Sequence, residues 1–210
     1  MIAVVDYGLG NIQAFANIYR RLGIPAIAAN SASDLRRASR IILPGVGAFD
    51  WAMKRLQESG LRQPLEEEVL GSKKPVLGIC VGMQMMARKS EEGQLPGLGW
   101  IDANVVKFDA VSVAGYTQLP HMGWNEVKPL TPDTLFFGLH EPRYYFLHSF
   151  YMRPDREEDI LATCKYGTTF ASAVKKENVY GTQFHPEKSH DWGMRLLKNF
   201  AEVPLCCDPE

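Results

Sequence analysis

Apolar residues fall into two rhythms along the first half of the chain. Residues 2–5, 26–28, 40–43 and 75–79 are short apolar runs with the length of buried strands. Between them, apolar positions recur every three or four residues. Asn11 is placed to cap a helix whose inward face is Ile12, Phe15, Ala16, Tyr19 and Leu22, and Gly23 stops it. Residues 31–34 read as the capped start of a short helix. A further helix turns Phe49, Ala52, Met53 and Leu56 inward and ends at Gly60, and the stretch after Cys80 reads as another. Strands and helices alternating with such short turns predict a parallel sheet covered on both faces. Ligands bind such sheets at the carboxyl ends of the strands. Two loops lie there: residues 44–47, and the turn at Cys80.

The second half changes rhythm. Residues 143–150, 160–166, 169–175 and 179–184 are strand-like and closely spaced, with residues 176–178 as a hairpin turn. They predict antiparallel strands added to the same sheet. A last amphipathic helix carries Trp192, Leu196, Leu197 and Phe200, and the tail from Pro204 is expected to be loose. The expected fold class is therefore α/β, a mostly parallel central sheet flanked by helices with added antiparallel strands. No linker or repeat divides the sequence, so residues 1–210 are expected to form one domain.

Composition narrows the function classes. With a net charge of −1 and no basic stripe, the chain offers no footprint for nucleic acid. No apolar run reaches the roughly 18 residues of a membrane helix, and the N-terminus reads as a core strand, not a signal peptide. The four cysteines have neither zinc spacing nor disulfide density. A reducing, cytoplasmic location without metal or cofactor is the expectation.

One cysteine is placed for chemistry. Gly78-Ile79-Cys80-Val81-Gly82 follows an apolar strand and precedes a helix, the form of a nucleophile elbow with sulfur in place of oxygen. A sharp strand-to-helix turn needs small neighbours on both sides. The free N–H groups of the following helix favour the thiolate, and the Val81 N–H is placed to donate to an oxyanion. The plainer reading is a buried structural cysteine between glycines.

The chemistry needs a base, and imidazole can both take and return a proton. His185, at the end of a strand-like run, is followed by Pro186 and Glu187. In an extended His-x-Glu both side chains share a face, so Glu187 could hold the imidazole in one tautomer. His148 is the rival base but lacks a nearby carboxylate. His121, His140 and His190 read as bystanders. A second oxyanion donor must come from a neighbouring strand end, and Val46, between Gly45 and Gly47, is the candidate. A tight turn is the bland alternative.

Taken together, residues 43–47, 78–84 and 181–188 resemble, in order and separation, the three motifs of the triad (class I) glutamine amidotransferases. The resemblance runs nearly end to end. Within that family, residues 6–11, the valine between the oxyanion-loop glycines and residues 119–125 are similar to the glutaminases that serve histidine biosynthesis.

The resemblance implies a flavodoxin-like core and a catalytic triad of Cys80, His185 and Glu187. It implies oxyanion donors at Val46 and Val81, and glutamine held by Gly45, Gly47, Gln84, His148 and Ser149. Ammonia would pass to a (β/α)8 cyclase subunit in a heterodimer, making imidazole glycerol phosphate and an aminoimidazole carboxamide ribonucleotide. Pro120, Met122, Trp124 and Lys188 would lie near that interface. Val81 and Phe150 depart from the residues usual there, without consequence for a backbone donor. Met122 and Trp124 could instead be core residues, and Cys206 and Cys207 read as a passive tail. A free-standing cysteine hydrolase and a non-catalytic partner-binding module are the competing readings. The Gly-Val-Gly loop weighs against the first and the intact triad against the second.

Overall fold

The computed structural model describes residues 1–109, 119–131 and 134–205. Cys206 and Cys207 therefore lie outside the described residues. Strand β1 (Ile2–Val5) leads to helix α1 (Ile12–Arg21), where the Asn11 side chain accepts from the Ala14 N–H as predicted. Phe15 and Tyr19 turn inward. Next come β2 (Ala26–Ala29), α2 (Ala32–Arg37, capped by Ser31), β3 (Arg40–Gly45) and α3 (Phe49–Glu58). Helix α4 (Arg62–Glu66), continued by a π-helical turn (Glu67–Gly71), was not foreseen. Strand β4 (Val76–Cys80) then runs straight into α5 (Val81–Met85), shorter than its sequence suggested.

The remaining strands are β5 (Lys89–Ser90), β6 (Ala103–Lys107), β7 (His121–Glu126), β8 (Lys128–Pro129), β9 (Arg143–His148), β10 (Phe150–Pro154), β11 (Ile160–Tyr166), β12 (Thr168–Lys176) and β13 (Val179–Thr182). Helix α6 (His190–Glu202) closes the fold.

The central sheet has the order β2-β1-β3-β4-β13-β12-β11-β8. The first five strands are mutually parallel, and β12, β11 and β8 add antiparallel pairs. The strand order reverses direction after β2, so right-handed crossovers put α1 on the opposite face from α2 and α3. On the α1 face, the Tyr19 hydroxyl donates to the Leu197 carbonyl of α6 at 3.2 Å.

Residues 143–150 correct the sequence reading. They do not form one strand of the central sheet. Strand β9 pairs with β7 in a two-stranded ribbon, and β10 pairs with β6 in a separate three-stranded sheet, the break falling at Ser149. The apolar rhythm marks extended chain on either side of the break and does not say which neighbour each half pairs with. The buried face of the ribbon packs on the sheet through rings: His121 stacks on Tyr166 of β11 with centroids 3.9 Å apart, and within the ribbon it stacks on Phe146 at 4.5 Å.

Candidate active site

Three chain segments end side by side at one rim of the sheet. Gly45 at the end of β3 is in register with Cys80, and Ile79 with Thr182 at the end of β13. The loop at Val46, the elbow at Cys80 and the segment leading to His185 are therefore neighbours.

Cys80 has φ of 54°, a left-handed conformation that a side-chain-bearing residue adopts only under constraint. The constraint is close backbone packing. A Cβ on Gly82 would stand 2.0 Å from the Leu43 carbonyl oxygen, and one on Gly45 would stand 2.3 Å from the Gly82 nitrogen. The start of α5 thus rests directly on the end of β3. From the far side, the buried Tyr7 hydroxyl donates to the Pro44 carbonyl at 2.6 Å. Beyond α5's first residue, Val81, the backbone has the unmatched donors of every helix start. Val46 is 39% exposed at the rim while Val81 is buried.

Cys80 is nearly covered, at 4% exposure. It stands near enough to His185 to act on the ring's charge, and His185 Nδ1 lies 2.8 Å from Oε1 of Glu187. Burial by itself disfavours the imidazolium. The interactions with Cys80 and Glu187, and the charges on both, outweigh it and raise the His185 pKa to about 10. An imidazolium beside the sulfur is the partner a thiolate nucleophile requires. The His185–Glu187 pairing is not made along an extended strand, as the sequence suggested. Strand β13 already ends at Thr182, and the 3-10 turn Pro186–Lys188 brings the carboxylate back to the ring.

The rival base is engaged elsewhere. His148 Nδ1 lies 2.8 Å from the Phe150 carbonyl, so it carries the proton and donates, and His148 Nε2 then accepts from His121 Nδ1 at 3.1 Å. Burial lowers His148 to about 3, and His121 to about 4. Both rings stay neutral at ordinary pH.

Of the residues expected to hold glutamine, Gly45 is packed against the elbow and Gly47 is exposed, with φ of 84°. Gln84 is buried and donates to the Phe150 carbonyl at 3.0 Å and to Gln183 Oε1 at 3.1 Å. Ser149 sits at the break between β9 and β10. Among the described residues no cluster of His, Cys, Asp and Glu is composed to hold a metal ion.

The outer face of the β7–β9 ribbon carries the residues expected at an interface. Met122 is 65% exposed opposite Leu147, and Trp124 is 38% exposed opposite Tyr145, so neither is a core residue. Pro120 and Lys188 are exposed too, with Lys188 Nζ 5.7 Å from the centre of the Tyr145 ring. His190, set aside as a base by the sequence, has a packing partner. Its ring stacks on Trp124 at 5.2 Å, nearly parallel, and Trp192 lies 6.4 Å from the same indole. The stacking could not be read from a histidine at a helix start. The sequence reading also gave no role to Tyr7 or Gln183, although both stand inside the segments that carried the resemblance.

A nucleophile elbow at the carboxyl rim of this α/β sheet has counterparts among known proteins. The chain belongs to the class-I glutamine amidotransferases, whose family model matches residues 3–203. It is 58% identical to the imidazole glycerol phosphate synthase subunit HisH of Bdellovibrio bacteriovorus, over 97% of this chain and 100% of that one. It is 49% identical to subunit HisH 2 of Pseudomonas aeruginosa, again over 97% of this chain and 100% of the relative. The resemblance seen in the motifs is thus borne out at full length. Among solved structures, the fold is similar to a crystal structure described as a glutamine amidotransferase, with a TM-score of 0.73 at 22% identity over 96% of this chain and 99% of that one. A glutamine amidotransferase from Thermotoga maritima gives a TM-score of 0.64 at 17% identity, over 96% of this chain and 82% of that one. No helix among the described residues is long and apolar enough to cross a membrane.

Proposed function

We infer that the chain is the glutaminase subunit of an imidazole glycerol phosphate synthase, working as one domain in the cytoplasm. The Cys80 sulfur attacks the carboxamide carbon of glutamine, and the oxyanion is met by the N–H groups of Val81 and Val46. His185 gives its proton to the departing ammonia, leaving a thioester on Cys80. It then takes a proton from water, whose attack releases glutamate and returns the sulfur. Glu187 keeps the imidazole ring in one tautomer and supports its charge throughout. Gly45, Gly47, Gln84 and the segment at His148 and Ser149 would hold the glutamine.

The ammonia goes to a (β/α)8 cyclase subunit, joined as a heterodimer, that makes imidazole glycerol phosphate and an aminoimidazole carboxamide ribonucleotide in histidine biosynthesis. Met122, Trp124, Pro120 and Lys188 form the docking face on this side. An exposed aromatic–methionine face of this kind suits the centre of an interface, and it weighs against a hydrolase that works alone. The observation that carries the reading is the Cys80 elbow set at the same rim as His185, with His185 Nδ1 2.8 Å from Oε1 of Glu187.

The test is Cys80→Ala in the complex with a cyclase subunit. Synthesis from glutamine is expected to disappear, while synthesis from added ammonium continues at close to the parent rate. Glutamine turnover surviving in this variant would show that the nucleophile lies elsewhere.

A further inference from the structure

Gln183 lies between the last residue of β13 and His185, and its side chain is fully buried. The orientation of a buried amide follows from the groups that face it. Gln84 settles it here. Its Nε2 is 3.0 Å from the Phe150 carbonyl oxygen, which can only accept, so Gln84 presents its NH2 group on that side. The second hydrogen of that group meets Gln183 at 3.1 Å, and Gln183 must answer with its oxygen. The NH2 group of Gln183 is thereby turned to Cys80, 3.8 Å from Sγ.

The sulfur also faces the Leu147 carbonyl oxygen at 4.0 Å. That oxygen can accept from a thiol, but its partial negative charge opposes a thiolate. A donor on the other side therefore matters most in the charged state, and hydrogen bonds to charged groups are the stronger ones.

We propose that Gln183 is a further catalytic residue, whose amide N–H donates to the Cys80 sulfur and, beside the His185 imidazolium, stabilises the thiolate. The proposal rests on Cys80 being the nucleophile. A neutral amide suits the task because it never competes for the proton that His185 must move. The same donor serves the reaction twice: when the thiolate forms, and when hydrolysis of the thioester expels it again. Gln84 acts through Gln183, as a positioning residue, by fixing which end of the amide faces the sulfur.

The test is the pH–rate profile of iodoacetamide alkylation, read by mass on the peptide containing Cys80 because the chain has four cysteines. Gln183→Met keeps the length and removes the donor. Its profile is expected to lie at higher pH than the parent's, with alkylation on the rising limb slowed up to about tenfold. A folded Gln183→Met protein whose profile superimposes on the parent's overturns the proposal. Should that variant fail to fold, Gln183→Glu keeps both the size and an acceptor for Gln84 while placing a carboxylate at the sulfur. It is expected to slow alkylation more than tenfold, and a parent-like rate overturns the proposal equally. Cys80→Ala separates the two levels. Glutamine turnover surviving there removes the nucleophile itself, whereas an inactive Cys80→Ala beside parent-like Gln183 variants removes only the role of Gln183.

Discussion

Replacing Gly82 with alanine probes the contact that shapes the elbow. The added methyl would stand 2.0 Å from the Leu43 carbonyl oxygen and 3.0 Å from its carbon. Ordinary contact begins at 3.4 Å, so α5 and the end of β3 would have to separate by about 1.4 Å (3.4 − 2.0) along that line. Both partners are backbone, and no side chain can rotate away to relieve the clash. Overpacking of this kind costs about 1–3 kcal/mol, which for a chain of this size lowers the melting temperature by roughly 2–12 °C. The same shift displaces Cys80 and the Val81 N–H, and a misplacement of about 1 Å slows chemistry on the order of 100-fold. Gly82→Ala is therefore expected to stay folded, to lose about two orders of magnitude in glutamine hydrolysis, and to leave ammonium-dependent synthesis by the complex near the parent rate. Glutamate release and thermal melting measure the two effects separately. A variant that hydrolyses glutamine within about twofold of the parent would refute the argument that backbone contact between β3 and α5 sets the site.

The buried histidine pair gives a pH signature. Because burial holds His121 at about 4 and His148 at about 3, their ring-proton resonances should not titrate between pH 5 and 8. The unfolded chain takes up those protons below about pH 6.5 and the folded one does not, so stability is held above that pH and lost as the pH falls toward 4. Either ring titrating with a midpoint above 5 would contradict this. At the docking face, Trp124→Ala is expected to raise the dissociation constant for the cyclase subunit by about 10- to 30-fold, without changing the fold of the free chain. Unchanged affinity by calorimetry would take Trp124 out of the interface.

Where structure is set locally, the sequence reading foresaw it. Asn11, Phe15 and Tyr19 announce α1 because one cap and one helical face suffice. Gly78, Cys80 and Gly82 announce the elbow because few other residues fit such a turn. What escaped depends on long-range pairing. Extended residues on either side of Ser149 look alike in sequence, yet they join different sheets. The Glu187 carboxylate reaches His185 through a 3-10 turn that only the whole rim explains. Gln183 stands in plain view two positions before His185, but its direction is decided by Gln84, 99 residues away in the chain. The segment from Leu61 to Gly71 carries a proline and three successive glutamates, and its helical path follows from burial of Leu65 and Val69.

Leu147 has two sides. Its side chain is 40% exposed on the outer face of the ribbon, across from Met122. Its carbonyl oxygen is the one that approaches the Cys80 sulfur. With a cyclase seated on that face, the wall between the two subunits' chemistry would be a single residue thick. A partner pressing on that face would bear on the residue whose carbonyl oxygen stands 4.0 Å from the sulfur, so the shortest path from the docking face to the elbow is one peptide long.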